Sequence, residues 1–426
     1  MTGALPPLTR AAIVAVGSEL LETARLDTNS LFITGQLNAA GIDVVFKCVA
    51  GDDRAVLSAV LRFALANADL VVVCGGLGPT DDDVTREVVA DVLGRPLAQN
   101  RALVEYLQRR YSSRGFTSPM PQNNLRQAMV PAGGEVLENP NGSAPGLWID
   151  HDGHVVLLLP GPPRELKPMM SGLASRVAAR SSGQVIARRS LHVVGQIESQ
   201  VDQMLQPLYR EWATWSPPVM ATILAKLGQI DLHLSTWHAS RDEGALRLER
   251  AVTQVLDVLG GLVFSTDGRR LEEVVGDLLA AGGLRVAAAE SCTGGLLTSR
   301  LTDVSGSSRY VGTSVVAYAN EAKTALLGVP PALIAEHGAV SEAVAVAMAE
   351  GIRARTGADL GLGVTGIAGP TGGSPEKPVG TVAVALAAAT GSRVRTFRFF
   401  GERESVKFQA SQAALDMVRI HLTANP

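Results

Sequence analysis

Short apolar runs that stop at glycine-rich turns, each followed by a stretch with helical spacing, constrain this chain more than any other feature. Leu70 to Cys74 runs into Gly75-Gly76-Leu77-Gly78 before a helical stretch from Val84 to Leu93. Arg285 to Ala289 runs into Glu290-Ser291-Cys292-Thr293-Gly294-Gly295 before Leu296 to Leu301. Ala11 to Val16, Ile42 to Val49 and His154 to Leu159 also read as strands, and Asp27 to Ala40 and Asp53 to Ala66 as helices. Repeated strand–turn–helix units predict a parallel sheet with helices on both faces, hence an α/β fold.

At 426 residues the chain exceeds what one hydrophobic core usually serves. The texture changes between about 170 and 260. There Ile186 to Val194, Val219 to Ala225 and Gln229 to Trp237 read as strands, and Ile197 to Leu208 and Asp242 to Leu259 as helices, which makes a small α+β connecting domain. The βα pattern resumes with helix Leu271 to Ala281 and continues through strands Asp359 to Val364, Thr381 to Ala387 and Val394 to Phe399 to a final helix from Glu404. The predicted domains are 1–170, 171–263 and 264–426.

Apolar residues make up 46% and charged residues 19%, an ordinary globular balance, while aromatics reach only 4%. Small side chains in that proportion suit closely packed α/β layers. A formal charge of -3 gives no electrostatic case for a nucleic-acid or membrane-surface partner. No apolar run approaches membrane-spanning length, and the opening MTGALPPLTR lacks the apolar stretch of a secretory signal. Cys48, Cys74 and Cys292 are too scattered for a disulfide framework or a metal pair. The expectation is a cytoplasmic protein.

Ser291 lies where a buried strand gives way to a helix, at the edge of the sheet where open α/β folds bind ligands. The amides of Thr293, Gly294 and Gly295 are expected as free first-turn donors for an oxyanion or a phosphate. A serine hydroxyl needs a base. No histidine is well placed in sequence, and Lys323 is the better candidate. Asn320 is expected to cap a helix that carries Lys323 in its first turn, where the helix terminus and burial lower the amine toward working range. Tyr318 could donate or relay a proton. Thr365-Gly366-Ile367-Ala368-Gly369 follows a strand and can line a ligand with its amides and the Thr365 hydroxyl. Arg393, Arg395, Arg398, Arg403 and Lys407 could neutralise a phosphate. Plainer readings stand beside these: Ser291 or Thr293 as a helix cap, Lys323 as a solvated lysine, the arginines as an edge strand. Cys292 is the rival nucleophile.

A second cluster follows Leu70 to Cys74: Gly76, Gly78, Thr80, Asp81, Asp82 and Asp83. Glycines at a strand-to-helix turn suit phosphate, and adjacent carboxylates suit a hard cation such as Mg²⁺. Capping of the following helix is the alternative. There is no Gly-Lys-Ser/Thr of a P-loop.

From AESCTGG, Tyr318-Ala319-Asn320-Glu321-Ala322-Lys323, TGIAGPTGG, Lys377-Pro378-Val379-Gly380-Thr381 and Gly401-Glu402-Arg403-Glu404, residues 265 to 422 resemble the C-terminal domain of the CinA family. The resemblance implies nicotinamide mononucleotide (NMN) deamidation, with Ser291 as nucleophile, Lys323 as base, and Tyr318, Thr365 and Arg403 in the site. It implies no metal for that chemistry. Gly17-Ser18-Glu19, Asp27-Thr28-Asn29, the glycine–aspartate cluster, Arg126-Gln127, Asn141-Gly142-Ser143-Ala144-Pro145-Gly146 and Leu159-Pro160-Gly161-Pro162-Pro163 resemble the family's N-terminal domain, of the molybdopterin-binding (MogA) type. That likeness implies a metal-dependent ADP-ribose pyrophosphatase site. Its divalent ion (Mg, Mn or Co) would sit at Asp82 and Asp83, with Asn29 and Ser143 nearby. It also implies a KH-type connecting domain and a homodimer. The alternatives are a competence- or DNA-damage-linked binding protein with vestigial sites, or a molybdopterin-binding protein.

Overall fold

The computed structural model describes residues 6–22, 25–113 and 119–424, so the first five residues of the opening stretch lie outside it. The described chain falls into two compact units: residues up to 187 with 237–246, and 188–236 with 247–426. The sequence divides it into three at 170/171 and 263/264. The connecting segment forms a four-stranded sheet, ordered Met220–Lys226, Gln229–His238, Val185–Val193, Val263–Ser265.

The first unit is built on a six-stranded sheet in the order Asp43–Ala50, Arg10–Val16, Leu70–Cys74, His154–Leu159, Gly146–His151, Glu135–Leu137. The first four strands are parallel and the last two antiparallel. The purely parallel sheet predicted from the βα repeats is therefore mixed. The Asp152-Gly153 turn, with both residues at positive φ, folds Gly146–His151 back on His154–Leu159. Alternate residues of the central strands face opposite layers. Val14, Val71 and Val73 pack with Leu57, Leu61 and Val88 on one side. Ile13, Leu70 and Val72 pack with Ile33, Leu37 and Leu166 on the other. Each fully buried aliphatic side chain contributes roughly 1.5–3 kcal/mol, so helices on both faces are what hold these strands.

The C-terminal domain has a five-stranded sheet, ordered Val315–Val316, Val286–Glu290, Leu360–Gly366, Thr381–Ala388, Gly391–Arg398. Its first three strands are parallel and the last two antiparallel. One face buries Val286, Leu362 and Val384 against Val275, Leu279 and Leu415. On the other, helix Glu342–Thr356 lies so close that a Cβ at Gly363 would be 2.1 Å from the Ala345 carbonyl oxygen, and one at Gly361 2.2 Å from that of Ala349. Ala383, Ala385 and Ala387 continue this small-residue floor. This face has no room for aromatic side chains. Among the described residues no helix is long and apolar enough to cross a membrane.

Candidate active site

Ser291 stands at the tip of strand Val286–Glu290 and is 8% exposed. Its backbone is fixed from both sides: its N–H donates to the Val364 carbonyl at 2.9 Å, and its carbonyl accepts from Gly294 at 3.1 Å. The turn needs Gly294 and Gly295 at φ 61° and 94°, a left-handed conformation that side chains other than glycine resist. Side-chain room is open beside both: the nearest atoms to an added Cβ would be Lys407 Nζ at 3.6 Å and Val316 Cγ2 at 3.7 Å.

The amides of this turn are not free donors as a group. Besides the Gly294 bond, Gly295 N–H donates to Glu290 Oε2 at 2.9 Å. The reason is Glu290, fully buried, which reaches across the turn and collects the start of helix Leu296–Thr302. It accepts from Leu297 N–H at 3.1 Å, Thr298 N–H at 2.8 Å and the Thr298 hydroxyl at 2.6 Å. The sequence reading missed this residue. Its only signal is an acid just before Ser291. Thr293 is fully buried and its hydroxyl has no hydrogen-bond partner.

Lys323 is 2% exposed and donates to the Tyr318 carbonyl at 3.0 Å. Burial pulls its amine below the usual lysine range, opposed by the nearby Cys292 thiol and Glu321. The interaction with Cys292 brings the lysine head into electrostatic range of the residue next to Ser291. No hydrogen bond joins Ser291 Oγ to Lys323 Nζ. Burial pushes the Cys292 thiol up to about 12, which keeps it protonated and a poor rival nucleophile near neutral pH. The helix carrying Lys323 runs Asn320–Leu327 with Ala319 at its cap position, so Asn320 opens the helix and does not cap it. Asn320 is exposed.

Arg403 gathers the rest. One guanidinium nitrogen donates to the Gly369 carbonyl at 2.7 Å and another to the Tyr318 hydroxyl at 2.7 Å. Thr365, buried one residue past Val364, donates to the Ala339 carbonyl at 2.8 Å, and Gly366 closes the same strand against Val382. Lys407 approaches the Gly294 turn. Arg393, Arg395 and Arg398 belong to the exposed edge strand instead, with Arg395 over Phe397 and Arg398 over Phe400.

The first unit contains a cavity of about 910 Å³. Gly76, Gly78, Asp82, Asp83, Asn29 and Ser143 all line it, while Thr80 does not. Thr80 supports its wall: the Thr80 hydroxyl donates to Asp83 Oδ2 at 2.5 Å, and the Thr80 N–H to the same oxygen at 3.0 Å. Asp81 pairs with Arg126 at 2.9 Å, which leaves Asp82 and Asp83 as the acids of this run on the wall. The following helix begins at Thr85, so the aspartates precede it and do not occupy its cap. Asn29 donates to Gly161 at 2.7 Å, and its buried Oδ1 has no partner. Glu19, Asp52 and Glu165 are further lining acids that the sequence reading did not single out. Among the described residues no group of three His, Cys, Asp or Glu forms a ready metal cage. A magnesium-type ion does not need one, since one or two carboxylates plus water and substrate phosphates suffice. The all-oxygen donors on this wall fit such an ion.

Two family models match. "CinA C-terminal domain" covers residues 268–422 and "Probable molybdopterin binding domain" covers 12–179. A CinA-like protein of Koribacter versatilis is 48% identical over 414 residues, 96% of this chain and 99% of the relative. One of Acidobacterium capsulatum is 44% identical over 421 residues, 97% and 99% of the two chains. Among solved structures, the competence/damage inducible protein CihA of Agrobacterium tumefaciens is 40% identical, covering 36% of this chain and 93% of its own with a TM-score of 0.35. With relatives this similar over nearly its whole length, the chain belongs to the CinA family, carrying a MogA-like domain at its N-terminus and the CinA domain at its C-terminus.

Proposed function

We propose that the C-terminal domain is a nicotinamide-nucleotide amidase that converts NMN to nicotinic acid mononucleotide and ammonia. The observation that carries this reading is the buried Lys323 amine, shifted toward its neutral form beside the Ser291–Cys292 turn. A neutral amine accepts a proton; a solvated ammonium does not. Ser291 Oγ attacks the carboxamide carbon while Lys323 takes its proton. Lys323 returns that proton to the departing nitrogen, which leaves as ammonia. Water, deprotonated by Lys323, then cleaves the ester, so the acid is released and Ser291 regenerated. The unpartnered Thr293 hydroxyl is available to the developing oxyanion. Arg403 holds the Tyr318 hydroxyl. The test is ammonia release from NMN by the purified full chain: Ser291→Ala abolishes it if the reading is right, and unchanged release in that variant rejects it.

For the N-terminal cavity we propose ADP-ribose as substrate, with a divalent metal (Mg, Mn or Co) held by Asp82 and Asp83. When bound, the metal neutralises charge on the diphosphate. Asn29 Oδ1, buried and unpartnered on the same wall, supports a ligand there. Replacing both aspartates with asparagine abolishes metal-dependent ADP-ribose hydrolysis and leaves ammonia release intact. The second reading, molybdopterin binding, draws on the description of the matching N-terminal family model. It gains if a pterin binds at Asp82 and ADP-ribose does not displace it.

A further inference from the structure

We propose that Glu290 is the positioning residue of the nucleophile turn; the proposal rests on the amidase reading of Ser291. An ordinary helix cap sits at the cap position and reaches the second or third amide beyond it. Here the cap position is Gly295, which has no side chain to offer. The acceptor comes instead from five residues earlier, across the very turn that carries Ser291. Glu290 takes three amides and one hydroxyl, which matches the acceptor capacity of a carboxylate. Its own backbone is pinned in the sheet, where its carbonyl accepts from Ala317 N–H at 2.8 Å. Residues 290 to 298 therefore form a loop closed at both ends by one side chain, and Ser291 is the first residue inside it.

Two consequences follow. The start of helix Leu296–Thr302 is occupied by the protein's own carboxylate, so a substrate anion is not received there. The direction of Ser291 Oγ depends on a bond network that never touches the substrate. Glutamine at 290 has the same shape but only one acceptor oxygen, and its NH₂ would confront amide donors.

The experiment labels the full-length protein with a fluorophosphonate, which reacts with an activated serine without using the amide-binding contacts. Glu290→Gln should label on the order of 100-fold more slowly, the cost of misplacing a reacting atom by about 1 Å. It should lower kcat for ammonia release with KM nearly unchanged. Labelling at the wild-type rate in folded Glu290→Gln overturns the proposal. If that variant does not fold, Thr298→Val removes one donor and leaves the carboxylate in place. Slower labelling at unchanged KM then supports the proposal, and wild-type labelling overturns it. Failure of the amidase reading shows separately, as labelling and ammonia release that persist in Ser291→Ala.

Discussion

The two glycine turns that close the central strands look alike in sequence and are built for opposite ends. At Gly75-Gly76 the protein's own atoms crowd in: an added Cβ would lie 2.1 Å from the Val16 carbonyl oxygen at the first and 2.2 Å from Thr85 Oγ1 at the second. At Gly294-Gly295 nothing comes closer than 3.6 Å, and the nearest atom is a lysine head. Both turns need positive φ. The first uses its glycines to pack the turn closely and so shape a wide cavity lined by several acids. The second uses them to leave space beside a serine whose supporting groups, Glu290, Thr293 and Lys323, are all buried. One site is open and acidic, as the proposed metal and diphosphate require. The other has burial acting on its reactive groups before any ligand arrives.

This contrast can be broken in several ways. Lys323→Met should reduce ammonia release on the order of 10³-fold, as loss of a general base does, and leave ADP-ribose turnover untouched. Equal loss at both sites would mean the variant unfolds the chain. Gly294→Ala should cost on the order of 100-fold in kcat/KM, because its methyl lies against the Lys407 amine and the left-handed residue displaces the turn that carries Ser291, at a stability cost of only about 1–2 kcal/mol. Gly75→Ala should do the reverse. Its Cβ meets backbone, so thermal or denaturant unfolding should show a loss of about 2–3 kcal/mol, with ammonia release per folded molecule unchanged.

The smallest effect is in pH. Burial lowers the Lys323 pKa, so the base form grows as pH rises, and activity should reach its plateau below the pH of an ordinary lysine near ~10.4. The sign for stability follows. Below the folded pKa both states are charged and the burial penalty is full. Between the folded and unfolded values the unfolded chain binds more protons, so stability rises with pH. Lys323→Met should therefore stabilise the protein most at low pH, and the gain should shrink through that window. A pH-independent difference would deny that burial shifts this amine.

Much of the layer structure was legible because it is written in local pattern. Leu70–Cys74 and His154–Leu159 end where their apolar runs end, since both are covered on two faces and Leu70 to Cys74 and Val155 to Leu159 are all buried. The hairpin partner Gly146–His151 was not recognised, although Asp152-Gly153 reads as a turn, because Trp148-Ile149-Asp150-His151 has no clean alternation. Edge strand Val315–Val316 is two residues long and leaves no period at all. At the candidate sites the sequence supplied residue types but not bond partners. Asp82 and Asp83 could be singled out, but the separate engagement of Asp81 by Arg126, 45 residues away, could not. Likewise the amides after Ser291 look free until the chain folds, when the Ser291 carbonyl takes that of Gly294 and Glu290 that of Gly295. Such partners are set by tertiary approach, which spacing does not encode.

The central claim is that Ser291 forms a bond to the substrate's acyl carbon. Rapid quenching during turnover of NMN, followed by mass mapping of the peptide that spans residues 286–300, tests it most directly. The account predicts an acyl adduct on Ser291 that decays as acid product forms and is absent in Ser291→Ala. An adduct on Cys292, or ammonia release in Ser291→Ala at the wild-type rate, would contradict it.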